Sequence, residues 1–156
     1  MSSFLISIIL TLLPITELRV GLPLALFNAT KNNLPLFPTF IFILLLNIIL
    51  IFFVFFFLDF IHKRLMKISI YNKFFSKYAI HLEKKSNSFE KKFKSIGYLA
   101  LIFLVAIPLP FTGAWTGSLV SWGLKLNRKK SILAISAGVI IAGTIIFLGT
   151  LGILAL

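Results

Sequence analysis

The sequence contains no cysteine. Disulfide bonds, thiolate metal sites and cysteine nucleophiles are therefore excluded. Acidic residues are also scarce, because four Asp and Glu stand against 16 Lys and Arg, which gives a net charge of +12. The two histidines, His62 and His81, lie in a lysine-rich region without nearby thiols or clustered acids, so we predict no metal or other cofactor. No Ser-His-Asp set, glycine-rich phosphate loop or pair of catalytic carboxylates is present, and we predict that the protein is not an enzyme.

Apolar residues dominate what remains. They make up 59% of the chain, charged residues only 13%, and the mean hydropathy is +1.05. Soluble domains carry about 25% charged residues. We therefore predict an integral membrane protein. Its basic residues cluster between apolar stretches, which favours contact with anionic lipid headgroups over binding of nucleic acid.

Two apolar stretches are long enough to cross a bilayer without interruption. Residues 36–58 and 132–156 contain 23 and 25 residues without a charge. A helix rises 1.5 Å per residue, so each stretch covers the roughly 30 Å hydrocarbon core. Both are predicted to be spanning helices.

The other two apolar stretches, residues 4–27 and 97–124, are interrupted near their middle. The first contains PITELRVGLP at residues 14–23, and the second contains PLPFTGAWTG at residues 108–117. Proline removes a helix donor and clashes with the preceding turn. Arms of about ten residues on either side are too short to span, since a spanning helix needs about 17 to 25. We predict two broken-helix hairpins that re-enter the membrane.

The distribution of basic residues tests this topology, because cytoplasmic loops are enriched in Lys and Arg. Ten basic residues lie within residues 60–96, and only Lys31 lies within residues 28–35. Four more follow the second interrupted segment: Lys125, Arg128, Lys129 and Lys130. Re-entry of that segment puts fourteen basic residues on one side and one on the other, whereas full crossing divides them ten to five. For the first segment only repeat symmetry favours re-entry, and a full crossing stays open.

These patterns together predict an all-α integral membrane protein with a single membrane domain over residues 1–156. Residues 1–59 and 97–156 form an inverted repeat, each half with one re-entrant hairpin and one spanning helix. Residues 60–96 form a cytoplasmic linker whose apolar residues recur every three or four positions, as in a basic amphipathic helix on the membrane surface. We expect this linker to contact anionic headgroups of the plasma membrane. A chain this small encloses little cavity alone, so a homodimer is expected.

Glu17 and Arg19 are the only charged residues inside an apolar segment. A charge at a helix centre costs about 2.5 to 3.5 kcal/mol on insertion scales, so both are functional candidates. In a hairpin tip, one side chain can meet backbone amides and the other the opposite hairpin or a substrate. Arg19 suits a phosphate or carboxylate group and Glu17 suits proton exchange. The alternative is that the pair only braces the hairpin.

The second interruption carries no charge, and its polar and small residues have two interpretations. Thr112, Gly113, Thr116 and Gly117 either line a lumen or form a tight turn with close helix packing. Trp115 is either a gate or a packed ring. The candidate substrate-binding residues are Pro14, Glu17, Arg19, Gly21, Pro23, Pro108, Pro110, Thr112, Gly113, Trp115, Thr116 and Gly117. Outside this set, Asn47 cross-links helices or lines the cavity, and Asp59 is expected to pair with Lys63 or Arg64.

At residues 14–25 and 107–117, PITELRVGLPLA and IPLPFTGAWTG, the sequence resembles the small multidrug export protein family. The resemblance implies a membrane location and a role in transport. A more distant likeness is to DedA-type membrane proteins, which pair re-entrant hairpins with spanning helices and are implicated in moving lipid phosphates. That family has acidic and arginine residues in both halves, and the second interruption here has none.

The leading hypothesis is a small transporter with a midplane site; a lipid-phosphate translocase and a non-transporting assembly protein are the alternatives.

Overall fold

A computed structural model describes residues 2–65, 96–109 and 112–154. Within these ranges every regular element is a helix, which confirms the all-α prediction. Six helices follow in chain order: α1 (Ser2–Leu12), α2 (Glu17–Lys31), α3 (Leu36–Leu65), α4 (Ile96–Ala106), α5 (Ala114–Gly123) and α6 (Arg128–Leu154). The predicted amphipathic helix of the linker lies outside the described residues, apart from residues 60–65, which continue α3.

Two helices, α3 and α6, are long and apolar enough to cross a membrane. Each has one face inside the protein and another outside it. In α3, Ile51 and Val54 are fully buried, whereas Phe53 and Phe56 on the other face are 57% and 67% exposed. Phenylalanine rings at that exposure match a surface covered by lipid rather than water. These two helices are the two spans that the sequence predicts.

Helices α3 and α6 pack antiparallel to one another. Near the start of α3, the ring of Phe40 stacks on Phe147, close to the end of α6, with 4.5 Å between centroids. At the opposite end, Arg128 Nη1 lies 2.9 Å from Asp59 Oδ2. The expected pairing of Asp59 with Lys63 or Arg64 is therefore wrong. The antiparallel contact brings the first residue of α6 across to Asp59, and the Trp122 indole donates to the other carboxylate oxygen at 3.0 Å.

The first break, residues 13–16, is shorter than the predicted interruption over residues 14–23. Helix α2 begins at Glu17 and continues through Pro23. Proline removes one helix hydrogen bond there, but Leu22 and Leu26 beside it are fully buried, and this packing outweighs the local loss. Gly21 is also helical, and a Cβ there would clash with Thr11 Oγ1. Glycine at this position lets α1 and α2 touch.

The second break, between Ala106 and Ala114, also ends earlier than predicted. Because α5 begins at Ala114, Trp115 to Gly117 belong to its first turn. A Cβ on Gly117 would lie 2.8 Å from Val105 Cγ2, and one on Gly138 of α6 would lie 2.7 Å from Val105 Cβ. The surroundings of Gly117 therefore match the close-packing interpretation of this residue. Pro110, one of the candidate residues, lies outside the described residues.

In both broken segments, the part before the break contacts the part after it. The Asn28 amide of α2 donates to Ser7 Oγ of α1 at 3.4 Å. In the second segment, the Asn127 N–H after α5 donates to Tyr98 Oη near the start of α4 at 3.0 Å. Each segment therefore doubles back at its break.

Candidate functional site

The two breaks meet at the carboxylate of Glu17. Its Oε2 accepts a hydrogen bond from the Ala114 N–H and its Oε1 accepts one from the Trp115 N–H, both at 3.0 Å. These donors belong to the first turn of α5, where N–H groups have no partner inside the helix. The carboxylate also matches the positive end of the helix dipole. Glu17 is only 3% exposed, so it caps, from inside the protein, a helix that begins 97 residues later.

Gly113 makes room for this carboxylate. A Cβ at residue 113 would clash with Glu17 Oε2. The φ angle of Gly113 is 178°, an extended conformation open to any residue, so the glycine is needed for space and not for backbone freedom. Glu17 has a left-handed φ of 40°, which costs a residue with a side chain roughly 1 to 2 kcal/mol. The contacts of its carboxylate offset that strain.

Arg19 reaches the loop that precedes α5. Its Nη2 donates to Thr112 Oγ1 at 2.7 Å and to the Ile107 carbonyl oxygen at 3.4 Å. The Thr112 hydroxyl lies 2.8 Å from the same carbonyl and 2.9 Å from that of Leu109. The two charged residues of the first segment thus contact different parts of the second. Glu17 binds the start of α5, and Arg19 binds the loop before it.

Three side chains contact backbone carbonyl groups at the end of α1. The Trp115 indole donates to the Leu12 carbonyl at 3.1 Å, Thr16 Oγ1 donates to that of Leu10, and the Asn47 amide lies 3.5 Å from that of Thr11. These are carbonyls that a helix leaves without internal partners. The Trp115 ring also meets Phe57 edge-on at 6.4 Å. These contacts match the interpretation of Trp115 as a packed ring rather than a gate.

A small cavity adjoins the carboxylate, with a volume of about 10 Å³, close to what one water molecule needs. Its polar walls are Glu17, Arg19, Asn47 and Gly113, and its other walls are apolar. Two of these residues carry a buried polar atom without a hydrogen-bond partner among the described residues: Oδ1 of Asn47 and Nε of Arg19. Asn47 Oδ1 is a hydrogen-bond acceptor and Arg19 Nε is a donor. A buried polar group left unpaired costs about 1 to 3 kcal/mol.

The structure brings some of the predicted residues together and leaves others apart. We call the assembled group the Glu17 junction: Glu17, Arg19, Thr112, Gly113 and the N–H groups of Ala114 and Trp115. Pro14 and Pro108 are exposed in the two breaks, and Thr116 lies in the first turn of α5. Gly21, Pro23 and Gly117 are helical and do not line the cavity. Asn47 lies outside the predicted set, but lining the cavity was one of its two predicted roles, and it is among the residues that line the cavity.

A sequence profile described as "Putative small multi-drug export protein" matches residues 17–145. The chain belongs to this family. The region shared with the small multi-drug export family begins at Glu17 and includes both sides of the Glu17 junction. Membership of this family and the two apolar helices indicate a membrane protein. Neither a curated protein nor a solved structure matches the sequence.

Proposed function

We propose that this protein is a small membrane exporter whose substrate site is the Glu17 junction. One observation carries the proposal: a buried carboxylate occupies the start of α5 beside a cavity lined by Arg19 and Asn47, each of which has a buried polar atom without a partner among the described residues. Intramembrane ionisable groups are costly and mark transport pathways. Short helices whose ends point at a common centre are also the device by which many transporters bind substrate.

The proposal includes a topology in which both broken segments re-enter the membrane from opposite faces, as halves of an inverted repeat. The contacts between Ser7 and Asn28 and between Tyr98 and Asn127 support it, since they show that each segment doubles back on itself. The ion pair of Asp59 with Arg128 supports a common basic end for α3 and α6. That end faces the cytoplasm in this topology, because cytoplasmic surfaces are rich in Lys and Arg.

The substrate in this proposal carries an anionic group such as a carboxylate or phosphate. The amides at the start of α5 already bind a carboxylate, and a helix N-terminus favours anions. When Glu17 accepts a proton, its hold on these amides weakens and the substrate group takes its place. Arg19, two residues along the chain, supplies the compensating positive charge. Export is then coupled to proton exchange at Glu17.

A second candidate, from another class, is a structural protein in which the junction only braces two helix ends. It is favoured by the pairing of both Glu17 oxygens and of Arg19 Nη2 inside the chain. The two functions predict different outcomes for the same substitutions. A brace predicts less folded protein but unchanged transport per folded molecule.

Flux measurements in proteoliposomes separate these possibilities. The probes are carboxyfluorescein, an anionic dye, ethidium, a cationic dye, and fluorescently labelled phosphatidylglycerol for lipid translocation. We expect wild type to move an anionic probe, and Glu17→Gln and Arg19→Ala to lower that flux at least tenfold per folded molecule. The matched control is Asp59→Asn, which removes a carboxylate charge outside the junction and should retain the flux. Unchanged flux in both junction variants contradicts the site, and transport of ethidium alone contradicts the anionic substrate.

A further inference from the structure

Three serines of α5 and α6 have fully buried hydroxyl groups without a hydrogen-bond partner among the described residues. We call them the serine row: Ser118 and Ser121 of α5, and Ser131 of α6. A buried hydroxyl in a helix can donate to the carbonyl one turn earlier in the same helix. The buried residues Thr11 and Thr150 make this bond, each at 2.8 Å. The hydroxyls of the serine row do not, so they are open to a partner from outside their own helix.

Two members of the serine row lie at the same level of the contact between α5 and α6. These helices are joined by residues 124–127 and run antiparallel. A Cβ on Gly117 would lie 3.2 Å from Ile135 Cγ1, which fixes the register of the contact. Ser121 is one turn after Gly117, and Ser131 is about one turn before Ile135. The register therefore brings these two buried serines opposite one another.

The serine row extends from the basic end of the molecule towards the Glu17 junction. The basic residues 128–130 directly precede Ser131 at the start of α6. At the other end of the row, Ser118 is one turn after Ala114, whose N–H binds the Glu17 carboxylate. Residues four apart lie on the same side of a helix. At 1.5 Å per residue, the row covers about 10 Å of α5 between the junction and the basic end.

We infer that water enters along the serine row and connects the basic end with the Glu17 junction. A serine hydroxyl can donate one hydrogen bond and accept two, and water can also do both. Water therefore satisfies all three hydroxyls, which are costly to leave unpaired in a buried position. The buried face of α5 consists of small residues only: Ala114, Gly117, Ser118 and Ser121. Because these side chains are short, a small movement of α5 makes room for water between α5 and α6.

This inference rests on the proposed proton exchange at Glu17 and adds the side from which the proton arrives. In a chain of water and hydroxyl groups, each oxygen accepts one proton and releases another, so no hydroxyl gains a net charge. Arg19 is the other charged residue at the cavity beside Glu17. The proton reaches the carboxylate from the basic end, which faces the cytoplasm in the proposed topology.

Cysteine substitution tests this path, because the chain contains no native cysteine. The variants Ser118→Cys, Ser121→Cys and Ser131→Cys replace a hydroxyl with a thiol of similar size. Silver ion, a small aqueous thiol reagent, is added to sealed proteoliposomes on the side from which Lys129→Cys reacts, and unreacted thiols are counted with a fluorescent maleimide after unfolding. The matched control is Ala25→Cys, a fully buried position in α2. We expect each serine-row cysteine to react at least about tenfold faster than the control.

A second set of variants tests the direction of the path. In the Ser118→Cys protein, Ser131→Val removes the hydroxyl at the basic end, and we expect silver ion to react about tenfold more slowly. Thr150→Val removes a buried hydroxyl that is paired within α6 and should leave the rate unchanged.

The path is overturned if Ser118→Cys reacts no faster than Ala25→Cys, even when the other two cysteines react, because water then stops short of the junction. It is also overturned if Ser131→Val leaves the rate at Ser118→Cys unchanged, because water then arrives by another route. The labelling requires no export. A wild type that moves no probe therefore contradicts the proposed function and not the path.

Discussion

Two carboxylates join the N-terminal and C-terminal parts of this chain, and they do so in different surroundings. Glu17 is 3% exposed and bound by backbone amides at a helix start. The side chain of Asp59 is 43% exposed and bound by Arg128 and Trp122. Removing a partner from a buried charge leaves its full desolvation cost, whereas exposed ion pairs contribute about 0 to 1 kcal/mol. Similar bonds at the two ends should therefore differ severalfold in their effect on stability.

The largest effect is expected for Gly113→Ala. The new Cβ would clash with the Glu17 carboxylate, so the carboxylate must leave the Ala114 and Trp115 amides or α5 must shift. Loss of two charged hydrogen bonds in a buried site predicts a fall of about 3 kcal/mol or more in the free energy of unfolding in detergent. Gly149→Ala is the matched control, because a Cβ there meets nothing within 4 Å. Equal effects of the two substitutions would contradict the close fit at Gly113.

Glu17→Gln should have the next largest effect. Glutamine keeps one carbonyl oxygen as an acceptor, but its NH2 group faces the second α5 amide, which leaves that buried donor unpaired. We expect a loss of about 1 to 3 kcal/mol in the free energy of unfolding. Asp59→Asn is the control for removal of a charge. If Asp59→Asn destabilises the protein more than Glu17→Gln does, the contrast between the two sites is wrong.

Thr112→Val should cost less, about 1 kcal/mol, because it removes a hydroxyl that accepts from Arg19 but leaves the shape of the side chain. Arg19 keeps its longer contact with the Ile107 carbonyl. Thr112→Ser restores the hydroxyl and should recover most of the loss in a thermal unfolding measurement. A valine variant as stable as wild type would contradict a stabilising role for this hydrogen bond.

The smallest effect is expected at the exposed end. Asp59→Asn should lower the free energy of unfolding by less than about 1 kcal/mol. High salt should reduce the difference between wild type and variant further, since screening acts on exposed charges. Lys63→Gln is the control, because Lys63 does not pair with Asp59 in the structure. A loss that is unaffected by salt would argue that the pair of Asp59 with Arg128 is shielded from solvent.

The spans were predictable because length and apolar composition determine them without knowledge of any partner. Only their ends differ, as α3 continues beyond residue 58 to Leu65. The breaks were predicted in the right places but too long. Local helix-breaking tendency exaggerates the effect of Pro23, because the sequence does not reveal that Leu22 and Leu26 are buried around it.

The partners at the site were beyond sequence reasoning for a related reason. The cost of burying Glu17 and Arg19 marked them as candidates, but no local pattern connects Glu17 to amides 97 residues away. Gly113 resembled a turn glycine, whereas its role is to leave room for a carboxylate. The sequence predicts a partner for Asp59 among its chain neighbours, because no sequence pattern reveals that α6 lies alongside α3.

The meeting of the two breaks at the Glu17 carboxylate depends on the space left by Gly113. A double-mutant cycle with Glu17→Ala and Gly113→Ala tests it directly, through the free energy of unfolding in detergent. Once the carboxylate is gone, the added methyl group has nothing to displace. We therefore expect the double variant to lie within about 0.5 kcal/mol of Glu17→Ala alone. Losses that simply add would contradict the meeting of the two breaks at this carboxylate.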